Sequence, residues 1–356
     1  MDRYVMYEPI GNGAYGTVYD AVHTGRESEA PYLAIKEVDI FTCGNIMWPS
    51  ALWEPSIMRN ADHPNIGKVL DTFTYKDNLY MVMPKYDIFD KKIDILILFK
   101  LIHALEYLQR NHIMHRDIKS SNIMMDGNEP VIIDFSCGVV CKDWKPCNQR
   151  EVYSATHRAP EILAGDIHKT PVEYGWKGEV WALGVVAYRC LIGHLPVIGQ
   201  VPQFMYKLIF GRISTIHKEL RAHGSIGDIV CEMLTITPST RPSLKDLMER
   251  PIFNHITHPL YKDIQWPIPS NSAPNTLQSQ IESRLPRIAS SPQSIRMATS
   301  ILQRYMDITS LSDSEIIASL YIAMYSTIDI SVGYKLTSEE REVVINMISK
   351  GDLFSM

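Results

Sequence analysis

Asp117, Lys119 and Asn122 lie within one short stretch, "HRDIKSSNIMMD" (residues 115–126), and Asp134 follows an apolar run in "IIDFS". A carboxylate, an ammonium and a carboxamide side by side suit a reaction in which negative charge moves while a hydroxyl gives up its proton. Asp117 would accept or orient that proton, and Lys119 would neutralise charge on a phosphoryl group in transit. Phosphoryl transfer depends mainly on positioning and charge stabilisation, which asks for this mixture. Asn122 and Asp134 offer oxygen ligands for Mg2+, which takes few from protein and the rest from phosphate and water.

The same chemistry needs a place for a nucleotide. "GNGAYGTV" supplies Gly11, Gly13 and Gly16, with Val18 after them. Alone, a G-x-G-x-x-G signal is weak, because glycines also simply make turns. Here it lies between two strand-like runs and not between a strand and a helix, which disfavours a dinucleotide fold and fits a hairpin closing over phosphates. Lys36 sits in the apolar strand "LAIKEV", where a lysine is costly unless paired. Glu54, in the helical stretch that follows, is its expected partner.

These residues need elements to hold them. Runs such as "TVYDAV", "YLAIKEV" and "NLYMVM" within residues 4–40 and 66–83 read as strands. From about residue 93 the pattern turns helical, in "IDILILFKLIHALEYLQRN", "GEVWALGVVAYRCLIG" and "IGDIVCEML". The expected class is α+β: a β-rich N-terminal lobe and a helical C-terminal lobe, together residues 4–258. Residues 259–294 are rich in Pro, Ser and Asn and read as a linker. Residues 295–350 return to helical periodicity as a small all-α segment.

Composition narrows the classes. The 356 residues are 46% hydrophobic and 21% charged with a formal net charge of −5. That is enough to bury sizeable cores and gives no basic footprint for nucleic acid or a membrane surface. The greasy stretch "VWALGVVAYRCLIG" is short and carries Arg189, so it reads as a buried helix and not a membrane span. Six scattered cysteines argue for reduced thiols inside a cell, in cytoplasm or nucleus, and the N-terminus has no apolar leader.

In order and spacing these motifs resemble a eukaryotic-type protein kinase over residues 4–258. "GNGAYGTV" is similar to the glycine-rich loop, "LAIK" to the strand with the nucleotide-binding lysine, "HRDIKSSN" to the catalytic loop, "DFS" to D-F-G, and "APE" (159–161) to the end of the activation segment. The resemblance implies the bilobal kinase fold, with ATP and Mg2+ as cofactors and a protein substrate. It implies a catalytic Asp117 with Lys119, Lys36 and Glu54. Gly11, Gly13, Gly16, Val18, Ala34, Lys36, Met83 and Met124 would bind nucleotide, with hinge residues 83–86 beyond adenine, and Asn122 and Asp134 would bind metal. Lys119, two residues after Asp117, resembles the Ser/Thr class. Arg241 resembles the arginine that pairs with Glu161, and Ser154 is expected to brace the catalytic loop.

A narrower resemblance points to the cyclin-dependent kinase (CMGC) group: "PSALWE" before "HPNI", "THRAPEIL", and the length from Asp134 to Glu161. Residues 295–350 resemble part of a cyclin box. A cyclin-like contact is therefore expected, from this tail docking near Trp53 or from a separate partner. The chain also departs from the family. Ser136 replaces the glycine of D-F-G, Glu179 replaces an aspartate, and Pro55 follows Glu54, so that helix is expected to start late or kink. Gln149, Trp53 and Val139 stand where a phosphorylated threonine and two of its arginines belong, leaving Arg116. Activity independent of activation-loop phosphorylation is the expectation. Rival readings are a pseudokinase scaffold, a kinase–cyclin fusion and a small-molecule kinase. A kinase with such eroded regulatory positions would suit a virus-encoded protein acting in a host cell.

Overall fold

A computed structural model describes residues 3–13, 16–39, 48–75, 78–90, 92–140, 154–168, 175–257 and 259–264, with 48–53 and 140 by backbone alone. Ala14, Tyr15, Gln149, Tyr153 and the tail 265–356 lie outside the described residues, and with them the reading of 295–350. The described chain divides into two compact units, residues 3–60 with 68–85 and residues 61–67 with 86–264.

The first unit is an antiparallel sheet of β1 (Tyr4–Gly13), β2 (Gly16–His23), β3 (Leu33–Asp39), β4 (Asp71–Tyr75) and β5 (Asn78–Pro84), in the order β1-β2-β3-β5-β4, with helix α1 (Trp48–Asn60) after β3. Strand side chains alternate between faces, so each β-branched or aromatic run supplies two surfaces. One surface holds a core of Ala21, Leu33, Ile35, Tyr80 and Val82, closed over by Tyr4, Met6, Tyr32 and Phe73. Phe73 stacks between Tyr80 and Tyr4, at ring-centroid distances of 4.9 and 5.8 Å. Polar groups on this surface are satisfied: the Glu37 carboxylate accepts from Tyr19 Oη (3.1 Å), Asn78 Nδ2 (2.6 Å) and Tyr80 Oη (2.5 Å). Burial and the Glu37 charge together push the Tyr80 phenol up to about 12.

Helix α1 corrects the expectation of a late start. It begins at Trp48, well ahead of Pro55, so the proline sits in the helix interior. Proline has no N–H for the carbonyl four residues back, so the helix gives up one internal bond there. Tertiary anchoring outweighs that loss: Glu54, Ile57 and Met58 are fully buried, and Asn60 Nδ2 closes the last turn on Ser56 O at 2.8 Å.

The second unit carries β6 (Asp87–Ile88), α2 (Ile95–Arg110), β7 (Ile113–Met114), β8 (Ile123–Asp126), β9 (Glu129–Ile132), β10 (Val139–Val140), α3 (Pro160–His168), α4 (Trp176–Ile192), α5 (Pro202–Arg221), α6 (Gly224–Met233) and α7 (Leu244–Met248). Its strands form two small antiparallel sheets, β6-β8-β9 and β10-β7. α2 starts at Asp94, whose side chain accepts from Ile97 N at 2.7 Å, satisfying one of the orphan donors of a helix start. α4 is the central helix, buried continuously from Gly178 to Tyr188 and ended by Gly193 at φ 94°. Among the described residues no helix is long and apolar enough to cross a membrane. The packed chain also runs six residues past 258. Tyr261 lies against the His63 and His103 rings, Asp263 pairs with Arg110 at 2.5 Å, and Ile264 N donates to Asn111 Oδ1. The aromatic ring and the two polar anchors explain why the Pro-rich stretch begins as packed chain.

Candidate active site

In the first unit, strand register gathers the residues expected to face a nucleotide. Val18 lies directly opposite Lys36, and Ala34 opposite Met83. Ala34 and Lys36 are two residues apart on β3, so all four side chains share the sheet face opposite the aromatic core. Lys36 Nζ reaches both Glu54 carboxylate oxygens at 2.8 Å, and both side chains are buried, 8% and 1% exposed. The pairing that makes a lysine tolerable in an apolar strand is thus met in full. Gly11 and Gly13 lie on β1 and Gly16 opens β2. Gly16 has φ 151°, and a Cβ there would stand 2.1 Å from Glu37 O, so the neighbouring strand admits only glycine.

In the second unit, Asp117, Lys119 and Asn122 form one hydrogen-bonded group. Asp117 Oδ2 accepts from Lys119 Nζ (2.6 Å) and Asn122 Nδ2 (3.3 Å), and Asn122 Nδ2 also donates to Asp117 O (3.0 Å). Asp117 Oδ1 accepts from both the backbone N and the Oγ of Ser154, each at 3.0 Å. Ser154 lies 37 residues along the chain, so the carboxylate is oriented by the far end of the activation segment as well as by its own loop. Met124 is on β8, half-buried.

The loop rests on buried groups. His115 Nδ1 accepts from Asp117 N (3.2 Å), which leaves the ring proton on Nε2, facing Ile133 O at 3.0 Å. Ile133 N in turn donates to Asn122 O (2.9 Å), so the residue preceding Asp134 is pinned to the catalytic loop. Arg116 is buried, its Nε donating to Cys137 O (2.7 Å) and its backbone N to Glu179 Oε1 (2.8 Å). Glu179 therefore anchors the loop backbone from α4. The non-glycine residues with positive φ among those described are His112, Arg116 and Asp134, at 59°, 61° and 63°. Such backbone costs free energy and concentrates where a site requires it. Asp134, not Ser136, takes the left-handed conformation; Ser136 is buried at an ordinary φ, so this arrangement does not need a glycine there.

Behind Ser154, His157 is buried with Nδ1 near Thr156 Oγ1 at 3.0 Å. Burial pushes its pKa down to about 4, with Lys119 and Arg189 adding to the effect and the Asp117 charge opposing it. Arg158 pairs with Asp166 (2.9 Å). Arg241 grips Glu161 with both ends of its guanidinium (2.7 and 3.0 Å) and caps the carbonyls of Thr235, Lys177 and Ile236. His157 and the Arg158–Asp166 pair gave no signal in the sequence beyond their distance from "APE".

The donor set fits Mg2+. The Asn122 amide nitrogen is committed to Asp117, so the group it has left to offer is the carbonyl oxygen Oδ1. With the Asp134 carboxylate that makes two hard oxygen donors, the sparse protein share this ion accepts.

The chain matches the family described as protein kinase domain over residues 4–253. It is 29% identical to sperm motility kinase 3A of Mus musculus over 265 residues, 70% of this chain and 49% of that protein. It is 25% identical to the probable serine/threonine-protein kinase nek3 of Dictyostelium discoideum over 275 residues, 71% of this chain and 24% of that protein. It is 29% identical to the cell division control protein 2 homolog 3 of Trypanosoma brucei brucei over 198 residues, 52% of this chain and 61% of that protein. The chain spans about half the length, or less, of the first two of these relatives. Identities this uniform do not single out one kinase group.

Proposed function

The chain belongs to the protein kinase domain family, and from that premise we propose that it transfers a phosphoryl group from ATP to serine or threonine hydroxyls of protein substrates. The observation that carries this reading is the Asp117 carboxylate, held by Lys119, Asn122 and Ser154 in one orientation. Asp117 takes the proton of the attacking hydroxyl as its oxygen bonds to phosphorus and the bond to the ADP oxygen breaks. Lys119 stabilises charge on the transferred group. Lys36, fixed by Glu54, orients the nucleotide phosphates beneath the glycine hairpin, with Val18, Ala34, Met83 and Met124 against adenine. Mg2+ held by Asn122 and Asp134 would neutralise phosphate oxygens. Preorganised charges of this kind supply most of the acceleration in phosphoryl transfer.

Two finer readings go with it. Arg116 is buried against Cys137 O and Val139 is buried in β10 opposite Met114, which supports activity without a phosphorylated activation loop. Phosphatase treatment then leaves the rate unchanged; a large loss mapped to residues 140–158 refutes it. "PSALWE" and "THRAPEIL" support a place near the cyclin-dependent kinases.

The decisive experiment is a radiolabelled ATP assay with mixed protein substrates, with and without Mg2+. Asp117→Ala lowers transfer at least about 100-fold, the low end for general-base loss, while ATP binding persists. Asp134→Ala weakens Mg2+-dependent nucleotide binding as well. Wild-type protein that binds ATP yet phosphorylates neither itself nor any substrate is a scaffold, not an enzyme.

A further inference from the structure

Helix α4 is buried continuously from Gly178 to Tyr188 and then places Arg189 in solvent. The guanidinium has neither a hydrogen-bond acceptor nor an ion-pair partner among the described residues. The ordinary account of a cation in the last turn of a helix is that it offsets the partial charge of the free carbonyls. Here Gly193 N already donates to Arg189 O at 2.8 Å, and the position beside the catalytic loop asks for more. Ser154, which holds Asp117 Oδ1, opens a single turn that closes with His157 N donating to Ser154 O at 2.8 Å. Within that turn Thr156 lines a small apolar cavity together with Trp181 and Val185 of α4. Trp181, Val185 and Arg189 follow at a spacing of four and run along one side of the helix. The turn that orients the base thus packs on the side of α4 that ends at Arg189. Arg189 and Lys119 both oppose protonation of the buried His157 ring, and Asp117 favours it, so all three charges lie within electrostatic reach of that ring.

The carboxylates around this turn are already committed. Asp117 accepts from Lys119, Asn122 and Ser154. Glu161 holds Arg241, Asp166 holds Arg158, and Glu219 accepts from Tyr188 Oη. Among the described residues, that leaves Arg189 as an uncompensated positive charge near the group that takes the acceptor's proton. We propose that Arg189 selects protein substrates carrying a negative charge, a carboxylate or a phosphate, close to the acceptor serine or threonine. The inference rests on the reading of Asp117 as the base of a protein kinase. A guanidinium suits either anion, because its fork of N–H donors pairs with two oxygens of a carboxylate or a phosphate. Arg189 acts beside the acceptor and not on the phosphoryl group. A contact made equally before and during transfer changes KM and leaves kcat in place.

The test uses the full chain with ATP, Mg2+ and serine peptides that differ at one flanking position, each position being scanned in turn with asparagine, aspartate, phosphoserine or arginine. At the position that meets Arg189, aspartate or phosphoserine raises kcat/KM about fivefold over asparagine, the upper end for an exposed ion pair. The gain comes through a lower KM at similar kcat. A phosphoserine effect well above that of aspartate assigns the site to substrates already phosphorylated nearby, and equal effects assign it to carboxylates. Ratios between peptides are compared within each variant, which cancels any loss of folded protein. Arg189→Gln brings the aspartate-to-asparagine ratio to about one, Arg189→Lys keeps most of it, and Arg189→Glu makes arginine the favoured residue. Lys218→Gln, at an exposed cation of α5, leaves the ratio as in wild type. Binding of the same peptides with alanine in place of the acceptor serine, read by fluorescence anisotropy, separates the two possible failures. Tighter binding of acidic peptides without phosphate transfer refutes the kinase reading and upholds the role of Arg189. Transfer with no acidic preference at any position, or a preference that survives Arg189→Glu, overturns the inference and leaves the kinase reading standing.

Discussion

Replacing Arg241 by methionine keeps the length and apolar stem of the side chain but removes its charge and its five donors. Arg241 is 1% exposed, and its donors reach the Glu161 carboxylate and three backbone carbonyls while its guanidinium lies 5.1 Å from the Trp181 ring centre. Breaking a buried ion pair from one side costs about 3–5 kcal/mol, because the remaining charge is left without compensation. Glu161 keeps some solvent contact, with a side chain 19% exposed, which favours the lower end. The carbonyls of Thr235, Lys177 and Ile236 add to it. Against a total of about 5–15 kcal/mol for a folded domain, about 3 kcal/mol is a severe loss. At roughly 2–4 °C per kcal/mol for a chain of this size, the melting transition falls by about 6–12 °C. Urea unfolding of wild type, Arg241→Met, Glu161→Gln and the double variant completes a thermodynamic cycle. A coupling energy above about 1 kcal/mol is expected, with the double variant less destabilised than the two singles combined. A loss below about 1 kcal/mol for Arg241→Met, or no coupling, refutes the reasoning.

His157 is neutral in the fold, with its pKa lowered from 6.5 to about 4. The unfolded chain takes up that proton first, so stability present above pH 6.5 is lost as pH falls toward 4, by about 3 kcal/mol at 1.36 kcal/mol per unit. Urea midpoints between pH 7 and 4 fall less steeply in His157→Phe; identical slopes would count against the assignment. Gly16→Ala and Gly11→Ala separate crowding from mere glycine loss. A Cβ at Gly16 meets Glu37 O at 2.1 Å, whereas one at Gly11 meets only Val18 Cβ at 3.8 Å. The first costs about 1–3 kcal/mol by overpacking and weakens ATP binding, the second leaves thermal stability close to wild type, and equal melting temperatures would refute the distinction.

Local patterns in the sequence were enough to place the strands, the buried helix α4, and the order of the motifs around Lys36, Asp117, Asn122 and Asp134. Each depends on residues near one another in the chain, where periodicity and spacing carry the information. The Lys36–Glu54 pair was legible too, because a lysine in an apolar strand demands a partner. What only the tertiary structure decided are the contacts between distant residues. Ser154 reaches Asp117 across 37 positions, Glu179 reaches the Arg116 backbone across 63, and Arg241 reaches Glu161 across 80; family resemblance suggested the first and the last, but spacing could not. The same holds where local rules failed. Pro55 sits inside α1 because buried neighbours outweigh one missing hydrogen bond. Ser136 fits because Asp134 takes the left-handed turn instead. Glu179 serves at its position because a longer carboxylate still meets the Arg116 amide. In each case packing chose among conformations that the local sequence left open.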